Sequence, residues 1–306
     1  MIVWITGSAG FLGNRLCKAF VEGGHTVIGL SRRISPNATK SFCIDLCSQE
    51  AFTKLDNIIQ MNGKPDIVIH AASARSSINN YGVHVESSLL TTANLLDVLS
   101  HSSHSSPKLF IYTSTMRVYG RVVDHVYPIN ENYGVMPETP YAVAKLLCES
   151  LLYKCWKQKL RYTQFMILRL PSLYGGEHEE GFMASLAQPA LAGEPLKLLN
   201  NLGTRDLLHV DDVVNAIIAC ASAKMPEWMD TMNLGCGVRI TVSEWAKMLL
   251  STLHSDSSIM FDENDLPYDT SICADITKAR GLLGFVPTPI KESIKRYVDE
   301  LLAKQR

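Results

Sequence analysis

The segment that most restricts the fold is Thr6-Gly7-Ser8-Ala9-Gly10-Phe11-Leu12-Gly13, a GxxGxxG spacing close to the N-terminus. It stands between an apolar run of strand length, residues 2–5, and a stretch that sets Leu12, Leu16, Phe20 and Val21 near one helical face. Gly7 permits a tight turn, Gly10 lets backbone come close to a ligand, and Gly13 lets the helix lie close against a sheet. A helix N-terminus offers N–H groups and a partial positive charge to phosphate. This strand–turn–helix therefore predicts a bound pyrophosphate, that of a dinucleotide, with Gly7, Gly10, Phe11, Leu12 and Gly13 around it. A purely structural turn is the alternative reading.

Further along, short apolar runs at residues 26–30, 42–44, 67–69, 109–113 and 163–170 read as strands. Helix-period stretches at 48–61, 83–99 and 141–158 separate them. Strands that are nearly continuous apolar runs, alternating with helices, predict a parallel sheet covered on both faces. The expected fold is α/β, a Rossmann-type doubly wound parallel sheet followed by a smaller C-terminal α/β substrate-binding lobe. The alternation loosens after Pro171, so the dinucleotide-binding domain is expected over residues 1–170 and the substrate lobe mainly over 171–306. Part of 203–236 is expected to return to the first domain.

A chain of 306 residues buries enough surface to fold without disulfide or metal staples. Its formal net charge is −1 and no Lys/Arg-rich run interrupts it, which argues against a nucleic-acid polymer as partner. No apolar stretch reaches the roughly 20 residues of a membrane span. The first residues lack the charged start and long apolar core of a leader, and read as a strand. The eight cysteines are scattered without a CxxC pair, the pattern of reduced thiols in a cytoplasmic protein with no metal site.

The end of the second strand discriminates between dinucleotides. An acidic residue there would bind the adenosine ribose hydroxyls and repel a 2′-phosphate. This chain has Ser31-Arg32-Arg33, a hydroxyl and two guanidiniums that suit a 2′-phosphate, so NADP(H) is expected over NAD(H). Both arginines as solvated loop residues is the other reading. Asp45 and Leu46, after the third strand, are expected beside the adenine.

Tyr141-Ala-Val-Ala-Lys145 sets a phenol and an ammonium four residues apart on one helical face. A nearby cation favours phenolate, which would bring the tyrosine's proton exchange nearer neutral pH. Tyr153 and Lys157 match the same spacing, but they lie mid-helix, where packing explains Tyr153 better. Tyr141 follows Pro137 and Pro140 at a helix start.

With these residues the chain resembles the extended short-chain dehydrogenase/reductase family, the NAD(P)-dependent nucleotide-sugar epimerases, dehydratases and reductases. The resemblance takes in Thr6–Gly13, His70-Ala71-Ala72, Thr113-Ser114-Thr115 with Val118-Tyr119-Gly120, and Pro128-Ile129-Asn130-Glu131. It continues through the Tyr141/Lys145 pair, Leu173-Tyr174-Gly175, the run Arg205 to Asp212, Asn233-Leu234-Gly235 and Leu283-Gly284-Phe285-Val286-Pro287. It implies Tyr141 as acid/base on the sugar oxygen, Lys145 on the nicotinamide ribose, and Thr115 hydrogen-bonded to the same oxygen as Tyr141. Ala71 and Ala72 are implied to line the cofactor. Arg205 is implied to clamp the substrate diphosphate, with an ion pair to Asp206 or Asp211 as the alternative.

Departures from the family pattern narrow the reaction. Met116 and Arg117 stand where the dehydratases carry an Asp-Glu pair, and Arg117 stands where another branch carries a catalytic cysteine. Ser172 replaces the usual substrate-binding Asn. The leading expectation is NADPH-dependent reduction of a 4-keto-6-deoxy nucleotide sugar, with Tyr141 as proton donor. A nucleotide-sugar 4-epimerase is the alternative, and a non-catalytic dinucleotide sensor a third. The helices at 83–99 and 141–158 resemble the pair that forms a homodimer interface in the family.

Overall fold

The computed structural model describes residues 1–306 apart from 74–79, 102–105, 123–126, 177, 199–202, 262–271 and 305–306. Strand and helix alternate from the first residues, as the periodicity predicts. In chain order the elements are β1 (Ile2–Thr6), α1 (Phe11–Glu22), β2 (Thr26–Ser31), β3 (Lys40–Cys43), α2 (Ala51–Asn62), β4 (Ile67–His70) and α3 (Tyr81–Ser100). Next come β5 (Leu109–Thr115), a 3-10 turn (Met116–Tyr119), α4 (Pro140–Gln158), β6 (Gln164–Leu170), β7 (Ser172–Tyr174), α5 (Phe182–Ala192), β8 (Leu196–Leu198) and β9 (Leu207–His209). The remainder is α6 (Val210–Ser222), β10 (Met229–Asn233), α7 (Val242–Leu253), β11 (Ile259–Phe261), α8 (Thr277–Leu283) and α9 (Ile290–Ala303).

Seven strands form one sheet in the order β10-β6-β5-β4-β1-β2-β3. Pairing is parallel for β1 with β2, β1 with β4, β2 with β3 and β4 with β5. The chain thus runs outward from β1 to β3, then returns to β4 on the other side of β1. That reversal is the doubly wound topology, and it leaves the C-terminal ends of β1 and β4 side by side. All four residues of β4 and all seven of β5 are buried, in keeping with the apolar runs at 67–69 and 109–113.

Two boundaries move for local chemical reasons. The long helix α3 begins at Tyr81 instead of residue 83, because the Asn80 side chain caps it by accepting from the Val83 N–H at 3.2 Å. Likewise α4 begins at Pro140, where Thr139 accepts from the Ala142 N–H at 3.2 Å and proline tolerates the first helical position.

The described residues group into two compact units. The first is Met1–Val118, Val135–Arg169 and Val214–Met232; the second is Tyr119–Gly134, Leu170–Val213 and Asn233–Arg306. Trp4, Ile28, Val68, Phe110 and Phe165 lie at the core of the first. In the second, two-stranded parallel pairs β7–β9 and β8–β11 accompany a core of Tyr174, Leu186, Trp245, Ile294 and Tyr297. Residues 119–134 group with the second unit, where Ile129 bridges Ala274 and accepts from the Asn233 side chain at 3.0 Å. Among the described residues, no helix is long and apolar enough to cross a membrane.

Candidate active site

The glycine loop is tied at both ends. The Gly7 N–H donates to the Leu30 carbonyl at 2.8 Å, and the Gly10 N–H donates back to Gly7 O at 2.8 Å. Gly7 has φ +66, and a Cβ there would stand 2.9 Å from the Ala72 backbone. A Cβ on Gly13 would run into the Gly7 carbonyl, so the first turn of α1 can approach β1 only because that carbon is missing. Gly10 is the N-cap of α1, and no side chain caps the helix. A Cβ on Gly10 would meet only Gly7 O, at 3.1 Å, and would otherwise stand in open space at the helix N-terminus. That is the cradle a pyrophosphate requires, so these residues fit a dinucleotide.

The remaining sequence-predicted cofactor residues gather along the same edge. Ala71 and Ala72 follow β4, and the Ala72 N–H donates to Thr6 Oγ1 at 3.1 Å. Ser31 closes β2; Arg32 and Arg33 are exposed just beyond it, and Arg33 Nη2 reaches Ala9 O at 3.4 Å. Asp45 Oδ1 accepts from the Cys47 N–H at 3.0 Å, and buried Leu46 offers its carbonyl to Asn94 at 2.8 Å.

Thr115, Tyr141 and Lys145 stand on β5 and the first turns of α4. Thr115 is the last residue of β5, and its Oγ1 accepts from the Arg117 N–H at 3.2 Å. The hydroxyl proton of Thr115 therefore remains to be donated elsewhere. Lys145 is 2 % exposed. Its Nζ donates to Thr113 O at 2.7 Å and lies 4.7 Å from the Tyr112 ring centroid. Burial pulls its pKa down to about 8.

One electrostatic expectation is corrected here. The sequence pattern has Lys145 favouring the Tyr141 phenolate, but Lys145 is turned to Thr113 O and stands 5.8 Å from the Tyr141 ring centroid. Burial pushes the Tyr141 phenol up to about 12, and the charge that opposes this is Arg117. The sequence carries this signal, since Arg117 follows Thr115 by two residues. The ring of buried His84 also meets Tyr141 edge-on, at 5.9 Å. The second Tyr/Lys pair is corrected too: Tyr153 is 49 % exposed on α4 and touches Trp156 at 5.8 Å, so core packing does not explain it.

Two buried polar networks hold this corner, and neither was found from the sequence. Glu149 on α4 meets Arg169 on β6 at 2.7 Å and accepts a short hydrogen bond from the Ser114 hydroxyl. Glu149 thus ties α4, which carries Tyr141 and Lys145, to β6 through Arg169 and to β5, the strand of Thr115, through Ser114. The second network is centred on fully buried His70. Thr92 donates its hydroxyl to Ser88 O at 2.7 Å, so it accepts from His70 Nε2–H at 3.0 Å. His70 Nδ1 then accepts from the Thr6 hydroxyl at 2.7 Å. These bonds fix a neutral imidazole, and burial together with Lys145 lowers its pKa to about 3. His70 joins the glycine-loop strand to α3 and carries no exchangeable role.

In the second unit, Arg205 lies 5.0 Å over the Phe182 ring; its N–H donates to Ile240 O at 2.9 Å and its carbonyl accepts from Trp245 Nε1 at 3.0 Å. Asp206 does not pair with it. That buried carboxylate accepts from the Cys236 and Ala274 N–H groups, each at 2.8 Å. Ser172 opens β7 opposite Leu207 of β9. The Pro128–Glu131 and Asn233–Gly235 motifs meet through Glu131 Oε1, which accepts from the Asn233 N–H at 2.8 Å. This bond and that of the Asn233 side chain to Ile129 O join the two motifs within the second unit.

The sequence model of the NAD dependent epimerase/dehydratase family matches residues 3–235. A putative UDP-glucose 4-epimerase of Methanocaldococcus jannaschii is 26% identical, over 97% of this chain and 97% of that one. A UDP-glucose 4-epimerase of Mycolicibacterium smegmatis is 25% identical, over 96% of each. Among solved structures, a UDP-glucose 4-epimerase of Thermotoga maritima with UDP-glucose superposes with a TM-score of 0.88 at 24% identity, covering 100% of both chains. A UDP-glucuronic acid 4-epimerase of Bacillus cereus in complex with NAD gives 0.84 at 23%, again covering 100% of each. At that identity the two structures speak for the fold alone. The family match spans well over half of the chain, so this protein belongs to the NAD-dependent epimerase/dehydratase family, enzymes of the extended short-chain dehydrogenase/reductase type.

Proposed function

We propose that this chain is a nucleotide-sugar 4-epimerase. The observation that carries the reading is the composition of the corner at the end of β5: one phenol, one hydroxyl and one buried ammonium, followed by Met116 and Arg117. Inverting the sugar C4 needs a single proton taken from its oxygen and returned to it, which one phenol can do. Water elimination needs a further acid/base, and neither methionine nor arginine supplies one. Full-length relatives described as UDP-glucose 4-epimerases support epimerisation over the net reduction expected from the sequence.

In this reading a nicotinamide dinucleotide held at the glycine loop supplies a reversible hydride acceptor. Tyr141 Oη would take the proton of the C4 hydroxyl and return it to the same oxygen once the ring presents the other face of C4. Thr115, whose oxygen already accepts from the Arg117 N–H, donates its own proton to the same sugar oxygen. Lys145 brings a cation to the ribose side of the pocket. Arg205, and Ser172 on the neighbouring strand, would hold the substrate, with the guanidinium on the diphosphate. The absence of a carboxylate after β2, with Arg32 and Arg33 in its place, favours a 2′-phosphorylated dinucleotide.

Exposed Leu90 on α3 with Leu147 and Tyr153 on α4 suits a homodimer through these helices. The free cysteines suit the cytoplasm.

The test is to denature the purified protein, identify the released dinucleotide by mass, and incubate native protein with UDP-glucose. Interconversion with UDP-galactose, with no net change at 340 nm and retained cofactor, is expected. Replacing Tyr141 by Phe should lower turnover about 10²- to 10⁴-fold. Consumption of NADPH by a 4-keto nucleotide sugar, without interconversion, would instead favour the reductase. The two guanidiniums after β2 keep that second reading open.

A further inference from the structure

We propose that Arg117 makes this protein selective for a sugar that carries a carboxylate on the carbon next to C4, that is, a nucleotide-linked hexuronate. This rests on the nucleotide-sugar reading above and deepens it.

Arg117 lies in the 3-10 turn directly after β5, two residues beyond Thr115, to whose Oγ1 its own N–H donates at 3.2 Å. The residue is exposed, and its guanidinium has no hydrogen-bond or ion-pair partner among the described residues. Glu149, the buried acid of α4, is already taken by Arg169 and Ser114. Its charge nevertheless reaches the Tyr141 phenol. An exposed, uncommitted guanidinium thus belongs to the residue whose backbone holds the Thr115 hydroxyl, and its charge opposes the burial that raises the Tyr141 phenol.

A sugar seated with its C4 oxygen on Tyr141 and Thr115 covers that guanidinium. Covering it without a counter-charge loses hydration and gains little. The substituent on C5 is a variable group on a carbon adjacent to C4. A hydroxymethyl there offers one neutral acceptor, whereas a carboxylate offers two charged oxygens that match the guanidinium fork. The same contact would separate substrates that share a nucleotide, a ring and a C4 hydroxyl, because a site built around a charged donor discriminates against the analogue that leaves it unmatched.

The experiment measures binding instead of turnover. UDP-glucuronate and UDP-glucose are titrated calorimetrically into full-length protein carrying Tyr141→Phe, at fixed ionic strength. The expected result is uronate binding tighter by about 10- to 100-fold, the worth of one charge-assisted contact. Adding Arg117→Met should make the two affinities equal, and Arg117→Lys should keep part of the preference. Equal affinities before Arg117 is changed, or an equal weakening of both ligands by Arg117→Met, would overturn the inference while leaving the epimerase reading intact. If neither nucleotide sugar binds, the nucleotide-sugar reading fails and this inference falls with it.

Discussion

Lys145 Nζ donates to the Thr113 carbonyl at 2.7 Å, which ties the first turns of α4 to the strand that ends in Thr115. The ammonium is therefore held by backbone and ring faces, with no carboxylate bonded to it among the described residues, and burial lowers its pKa to about 8. The folded protein prefers the neutral amine more than the unfolded chain does. The unfolded state binds the extra proton between about pH 8 and 10.5, so stability from this group rises with pH across that window. Chemical unfolding at pH 7.5, 9 and 10.5 should show wild type gaining on Lys145→Met as the pH increases. A constant difference between the two would show that Lys145 is not buried as a strained cation.

His70 has the same sign of pH dependence, in a lower window. Its pKa falls from the ordinary 6.5 to about 3, because burial and the Lys145 charge favour the neutral ring that the Thr6 and Thr92 bonds hold. Above pH 6.5 both states are neutral and the network contributes fully. Below it the unfolded chain takes a proton that the native state refuses, so stability is lost as pH falls toward about 3. The loss approaches about 1.4 kcal/mol per pH unit for a single such site. In urea titrations, the advantage of wild type over His70→Asn should shrink steadily between pH 7 and 4.

How much was legible beforehand follows from what each residue needs from distant chain. The glycine loop, β1 and α1 are local: Gly7, Gly10 and Gly13 act within one strand–turn–helix, so spacing alone reveals them. Tyr141 and Lys145 are likewise one helical turn apart. Glu149 and Arg169 lie on different elements 20 residues apart, and Ser114 is 35 residues from Glu149. No periodicity links them; only the stacking of α4 on the sheet does. Arg117 stands plainly in the sequence, but its effect on Tyr141 depends on where the turn after β5 points. Cap residues Asn80 and Thr139 were also present in the sequence, and would have set both helix starts correctly.

The Glu149–Arg169 pair yields an asymmetric prediction. Both side chains are almost fully buried, at 7% and 9% exposed, so removing one leaves a charge without its counter-ion. Glu149→Ala is expected to destabilise the fold by about 3–5 kcal/mol, and Arg169→Met similarly. Replacing both by apolar residues of similar volume should cost clearly less than the sum of the two changes. Denaturant midpoints of the two single variants and the double variant measure this directly. Simple additivity would mean that the two charges are not coupled.

Two glycines separate backbone strain from a packing clash. Gly24 has φ +78 after α1, and an added Cβ would meet nothing within 4 Å. Gly24→Ala should therefore cost only the left-handed backbone preference, about 1–2 kcal/mol, and leave dinucleotide binding unchanged. Gly13 is helical, so alanine suits its own backbone, but the new methyl would occupy the position of the Gly7 carbonyl. To admit it, α1 must move away from the loop, and both the fold and the pyrophosphate cradle change together. Gly13→Ala is expected to lower stability by about 1–3 kcal/mol, the usual range for overpacking, and to weaken dinucleotide affinity at least tenfold. Thermal unfolding read alongside tryptophan-fluorescence titration with NADPH distinguishes the two variants. If Gly13→Ala retained full affinity, the loop would not be the pyrophosphate site, and the alternative of a purely structural turn would stand.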